Sequence, residues 1–136
     1  MKIFSLHSIL HVLFLCGMLV SCSEEDDIQP FEDPRDKFTG QWSVNNESCQ
    51  KSRYTVTISN DPSNSIQVLM YNFGFSNVSR PDTAIVAGNT ITLPRQLNQE
   101  KWIIEGTGIY EDNKIQWEYS LEISGSLEAC TATYIQ

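Results

Sequence analysis

Ile115-Gln-Trp-Glu-Tyr-Ser-Leu-Glu-Ile123 alternates without a break: every odd position is apolar and every even one polar. That period of two is the mark of a strand buried on one face. Asp112-Asn113, just before it, suits a two-residue hairpin turn with positive φ at both positions. The turn sets the register with 101–111. Tyr110 then faces Ile115, Gly108 faces Trp117, Gly106 faces Tyr119, Ile104 faces Leu121 and Trp102 faces Ile123. Two glycines fall opposite two large aromatics on the buried face, where rings can lie over bare backbone and the strand can bend sharply. The other face reads Glu105, Thr107, Glu118, Ser120 and Glu122, with only Ile103 and Ile109 breaking its polarity.

The same punctuation extends outward. A second hairpin turns at Gly88-Asn89 and puts Ala84 and Val86 beside Leu93 and Ile91. A third joins Tyr54-Val56-Ile58 to Ile66-Val68-Met70. For those apolar sets to share one face, the loop around Asp61-Pro62-Ser63 must hold an odd number of residues. Trp42 and Val44 mark the first strand; Cys130, Ala132 and Tyr134 mark the last. Strands are expected near 39–46, 52–60, 65–73, 82–87, 90–95, 101–111, 114–124 and 128–135, with no sustained helical period and no internal repeat. The fold class is all-β: about eight antiparallel strands, joined by tight hairpins, in an up-and-down meander closed into a barrel. A two-sheet β-sandwich is the alternative.

The N-terminal part reads differently. Lys2, the apolar run Ile3–Val20 and the small Ser21 before Cys22 form a secretory signal over residues 1–21. An uncleaved transmembrane anchor is the competing reading of that run. Residues 22–36 are acidic and carry Pro30 and Pro34, which reads as a disordered tether; residues 37–136 form the barrel domain. The whole chain carries a formal charge of −8. Losing residues 1–21 removes Lys2 and no acid, so the mature chain stands at −9, most of it in the tether. No basic patch points to nucleic acid. Both histidines, His7 and His11, lie in the signal. The mature chain therefore lacks the commonest general base and metal ligand, which argues against Ser-His-Asp or Cys-His catalysis and against a His-ligated metal site. No metal site, cofactor or enzyme activity is expected. Cys49 and Cys130 remain for an oxidising compartment, and a bridge between them is the simpler reading; no Cys-x-x-Cys spacing supports a redox pair.

Leu19-Val-Ser-Cys22 resembles the bacterial lipobox, which implies that Cys22 receives the lipid, palmitate among its acyl chains, and becomes residue one. Ser23-Glu-Glu-Asp-Asp27 resembles the export tag of surface lipoproteins in Bacteroidota. The implied location is the outer membrane, lipid-anchored and facing the cell exterior, with the lipid on Cys22 as the membrane contact. Phe38-Thr-Gly40-Gln-Trp42 resembles the first lipocalin motif, which implies that Gly40 and Trp42 close one end of a barrel. The whole pattern, including Cys130-Thr-Ala-Thr-Tyr134, resembles small lipocalin-like lipoproteins of Bacteroidota (calycin-type barrels). The chain departs from the lipocalin pattern in lacking a Thr-Asp-Tyr motif and a clear late arginine, and its strands are short. Asp82-Thr83-Ala84 fits the short O-glycosylation pattern of Bacteroidota exports, with Thr83 the candidate acceptor.

Two functions follow from a barrel of this size, which can be filled by its own side chains or hold one small ligand. One is a cell-surface binding module for a small apolar ligand, lined by Trp102, Trp117 and Tyr119, with Phe73 and Phe75 as an aromatic lip. The other is a non-catalytic accessory or interaction domain with a filled barrel, partnering an outer-membrane protein. A cavity inside the barrel is the feature that separates them.

Overall fold

Eight strands follow one another through residues 31–136, the part of the chain that the computed structural model describes. They are β1 (Gly40–Asn45), β2 (Tyr54–Asn60), β3 (Gln67–Tyr71), β4 (Asp82–Ala87), β5 (Thr90–Leu97), β6 (Ile103–Glu111), β7 (Lys114–Ile123) and β8 (Ser126–Ile135). Each pairs antiparallel with the next, and β1 pairs with β8, so the sheet closes into a barrel rather than a sandwich. The signal, Cys22 and the tether up to residue 30 lie outside the described residues.

The register around β6 and β7 follows the alternation. Gly106 pairs with Tyr119, Gly108 with Trp117, Tyr110 with Ile115 and Ile104 with Leu121. The Asp112-Asn113 turn has φ of 50° and 58°. The glycines are required there: a Cβ on Gly106 would meet Tyr119 Cβ at 2.4 Å, and one on Gly108 would meet Trp117, Ile115 and Ile91 at 2.8 Å each. Val86 pairs with Ile91 across Gly88-Asn89. Ile58 pairs with Met70 and Asn60 with Val68, which leaves an odd number of residues between Asn60 and Val68.

Three expectations are corrected. Trp102 does not join the ladder, which stops at Ile103 opposite Glu122; its backbone is held instead by Asn98. Ile66 is exposed, because the Asn64 side chain takes its amide into the turn before β3. The last strand starts earlier than expected, since Ser124-Gly125 makes a two-residue turn and Ser126 already pairs with Ile123. In addition, β5 runs on to Leu97 past an irregularity between Leu93 and Gln96, where Pro94 supplies no amide to the ladder.

The meander sorts its connections onto two ends. The entry end, where the chain joins β1, carries the Asn60–Gln67, Ala87–Thr90 and Glu111–Lys114 connections. The far end carries loops 46–53, 72–81 and 98–102 and the Ser124-Gly125 turn. Just before β1, a 3-10 turn (Asp36–Phe38) lays the Phe38 ring edge-on to Tyr110 at 5.6 Å, and Trp42 meets the same ring at 6.4 Å. Trp42 is fully buried and donates Nε1–H to the Phe38 carbonyl at 2.8 Å. Residues 32–36, read as tether, belong to this closure: the compact unit begins at Glu32. Arg35 is buried and reaches the carbonyls of Asp61, Asn64 and Gln67 at 3.2, 2.8 and 3.1 Å. Its side-chain hydrogen bonds also hold the Asp33 carboxyl below its ordinary pKa.

Candidate functional site

The far end is built on a polar loop that is fastened at its middle. Ser48 exchanges two hydrogen bonds of 2.9 Å with the backbone of Thr131. Cys49 is disulfide-bonded to Cys130, with the Cα atoms 5.5 Å apart. These ties press loop 46–53 against the middle of β8 and turn Glu47 toward Tyr119. Glu47 is half-buried, and one of its oxygens accepts the Tyr119 hydroxyl. Its Oε2 is buried and has no partner.

Below Glu47 lie Tyr54 on β2 and Tyr134 on β8, each opposite Val44 from its own side. The Tyr54 hydroxyl faces Glu47 and the Tyr134 hydroxyl faces Tyr54, but neither approach closes into a full hydrogen bond. Both hydroxyls are thus left buried and unpartnered, as are Trp117 Nε1 and Asp82 Oδ2. Burial raises the Glu47 carboxyl, and the Tyr54 hydroxyl partly offsets it. Burial pushes Asp82 up to about 6, against a weaker pull from Arg80. Tyr54 and Tyr134 are raised as well, first by burial and then by their charged and hydroxylic neighbours. Native interiors leave few buried polar atoms unpaired. With Asn98 Nδ2, six of the seven such atoms among the described residues lie in this half of the barrel, which marks it for something other than packing.

The third component is loop 72–81. Asn72, Gly74 and Phe75 have φ of 67°, 60° and 62°, and this tight turn drives the Phe73 side chain into the barrel. Phe73 has no exposed surface; its ring lies 4.9 Å from those of Trp117 and Tyr119 and 6.3 Å from that of Tyr134. Asn77 braces the loop by accepting from Val78 N, Ser79 N and Ser79 Oγ at 2.7 to 3.0 Å. Ser79 and Gln99 are hydrogen-bonded to each other, which links the loop to 98–102.

Of the residues expected to line a cup, the structure brings Trp117, Tyr119 and Phe73 together. Trp102 is half-buried at the margin of the core. Phe75 is 48% exposed and rests edge-on against Tyr54 at 5.4 Å. The Phe73 ring fills the space between Trp117 and Tyr119, so the expected cup is not open. Cavities of about 280 and 340 Å³ lie under and beside loop 46–53, lined by Asn45, Glu47, Lys51, Arg53 and Tyr54 among others. Another, of about 500 Å³, lies along residues 32–37. None of these is lined by Trp102, Trp117 or Tyr119.

Thr83 stands on β4 opposite Leu69, half-buried, with its amide and carbonyl both held by the Gln96 side chain. Among the described residues, no three His, Cys, Asp or Glu side chains gather in an arrangement that could hold a metal ion. What the far end offers chemically is a set of hydrogen-bond acceptors, the donors Trp117 Nε1 and Asn98 Nδ2, and several aromatic faces. Glu47 and Asp82 escaped the sequence reading, although Asp82 shares the parity of the buried Ala84 and Val86. Compared with protein-family models, curated proteins and solved structures, the chain gives no match.

Proposed function

We propose that the chain is a non-enzymatic binding module of the cell surface, lipid-anchored through Cys22, whose barrel takes a small, largely apolar ligand at its far end. In this reading residues 1–21 are removed as a signal. A single observation carries the binding site: the Phe73 ring, delivered by a strained loop, occupies the place between Trp117 and Tyr119 that a ligand would take. It lies beside polar atoms that nothing in the chain satisfies. Left-handed conformations at non-glycine residues cost roughly 1 kcal/mol each, so withdrawal of the loop is partly offset by relief at Asn72 and Phe75. The entry end joins the tether, so a lipid on Cys22 leaves the far end free to face outward. Fully extended, residues 22–31 would reach about 35 Å.

The test is saturation-transfer NMR of 2-phenylethanol with the full-length lipoprotein in detergent micelles, wild type beside Phe73→Ala. Transfer above that of empty micelles is expected for wild type, and more for the variant. Transfer equal to empty micelles for both proteins would overturn the reading. A second reading, an accessory domain with a filled barrel that meets an outer-membrane protein, is favoured by Phe75, Val78, Leu97 and Leu127. All four are exposed apolar residues at the far end.

A further inference from the structure

The unpartnered atoms at the far end define what kind of polar group fits among them. We propose that the ligand is a small amine, its aromatic or alkyl body lying where the Phe73 ring lies and its ammonium group held among Glu47, Tyr54, Tyr134 and Asp82. This rests on the barrel being a binding module and names the ligand class.

The argument begins with charge. Glu47 and Asp82 are the two acids directed inward at this end, and both Glu47 Oε2 and Asp82 Oδ2 lack partners. The nearby bases, Lys51, Arg53 and Arg80, are exposed on the rim and leave the interior acidic. A carboxylate or phosphate ligand would meet repulsion there. Hydrogen-bond count comes next. An ammonium has three donors and no acceptor, and a neutral alcohol has one donor. Glu47 Oε2 and the Tyr54 and Tyr134 hydroxyls supply three acceptors in one run, with Asp82 close enough to act on Tyr134 through its charge. The walls suit the body: the rings of Trp117, Tyr119 and Tyr134 surround the Phe73 position and offer aromatic contacts to the group that takes its place. Trp117 Nε1 is a donor without a partner, so an oxygen acceptor on the same molecule would complete the fit.

Three compounds of one shape separate the outcomes: 2-phenylethylamine, 2-phenylethanol and 3-phenylpropionate, titrated calorimetrically into the full-length lipoprotein in detergent. Wild type and Phe73→Ala are measured in parallel at neutral pH. The amine is expected to bind at least about tenfold more tightly than the alcohol, which is about 1.4 kcal/mol, and the acid not at all. Glu47→Gln should erase the preference for the amine yet keep the affinity for the alcohol, which also reports that the barrel is intact. Asp82→Asn should reduce the preference in the same sense. Equal affinities for amine and alcohol would overturn the amine assignment and leave the binding module standing. An amine preference untouched by both substitutions would also overturn it. Binding of none of the three, in wild type or Phe73→Ala, would remove the amine and the binding module together.

Discussion

The two ends of this barrel are closed by aromatic side chains in opposite ways. At the entry end the polar groups of the closure are nearly all paired, Asn60 Oδ1 being the one buried atom there, among the described residues, that has no partner. The Trp42 indole donates to a carbonyl, and Arg35 satisfies three carbonyls and one carboxylate. At the far end Phe73 closes the barrel over a ring of atoms that remain unpaired, on a loop that needs positive φ at three of four consecutive residues. Buried polar groups left unpaired destabilise by about 1–3 kcal/mol each. A closure serving stability alone would have apolar residues there, as the entry end does around Phe38 and Trp42. The contrast supports the proposal that one end serves structure and the other binding.

Substituting the two plugs breaks the comparison most forcefully. Trp42→Ala should lower the free energy of unfolding by about 3–5 kcal/mol, the usual range for a large buried aromatic. Phe73→Ala, although equally buried, should lower it by no more than about 2 kcal/mol, because loop strain is relieved and water reaches the unpaired atoms. Equilibrium urea unfolding reads both. Equal losses would make Phe73 an ordinary core residue and erase the distinction.

The disulfide comes next. It closes a loop across a sequence separation of 81, for which chain entropy predicts about 4 kcal/mol and measured cases run at about 2–4. Cys49→Ser with Cys130→Ser should cost stability in that range. It should also free loop 46–53, so that its amides lose protection from hydrogen exchange while those of Phe38, Trp42 and Tyr110 keep theirs. Loss of protection at both ends together would mean that the ends are not independent.

How far the sequence disclosed all this also differs between regions. The β6–β7 register was legible to the residue, because an unbroken alternation, a two-residue turn and two glycines opposite two aromatics admit only one pairing. Closure into a barrel was legible from the run of hairpins. Arg35 was not: its acceptors are carbonyls of the distant 61–67 turn, and its acidic, proline-flanked surroundings read as tether. Glu47 was hidden for a similar reason. Asn45-Asn-Glu-Ser-Cys-Gln-Lys-Ser-Arg53 reads as a wet loop, and only the tie from Cys49 to β8 turns the carboxylate inward. Asp82 did leave a trace, standing in step with Ala84 and Val86, but an acid at the head of a strand is ordinarily taken as a solvated end. Phe73 was singled out as part of an aromatic lip, yet its depth between Trp117 and Tyr119 depends on the positive φ of Asn72, a local conformation that sequence periodicity does not encode.

The acids carry the smallest expected effect and the sharpest sign. Asp82 holds its proton up to about 6 in the folded chain against an ordinary 3.8. The folded state therefore binds more protons than the unfolded one between those values. Stability contributed by the protonated acid is present below about 4, falls as pH rises to about 6, and is lost at neutral pH. After allowance for partial solvent screening this is about 1–2 kcal/mol. Glu47, also raised, acts in the same direction.

The most direct measurement is therefore urea unfolding of a Glu47→Gln, Asp82→Asn double variant against wild type at neutral pH. A far end kept for binding predicts a variant more stable by about 1–2 kcal/mol, with a flatter dependence on pH between 4 and 6. A variant less stable than wild type would mean that these carboxylates hold the barrel together, and would contradict the division of the molecule into a structural end and a binding end.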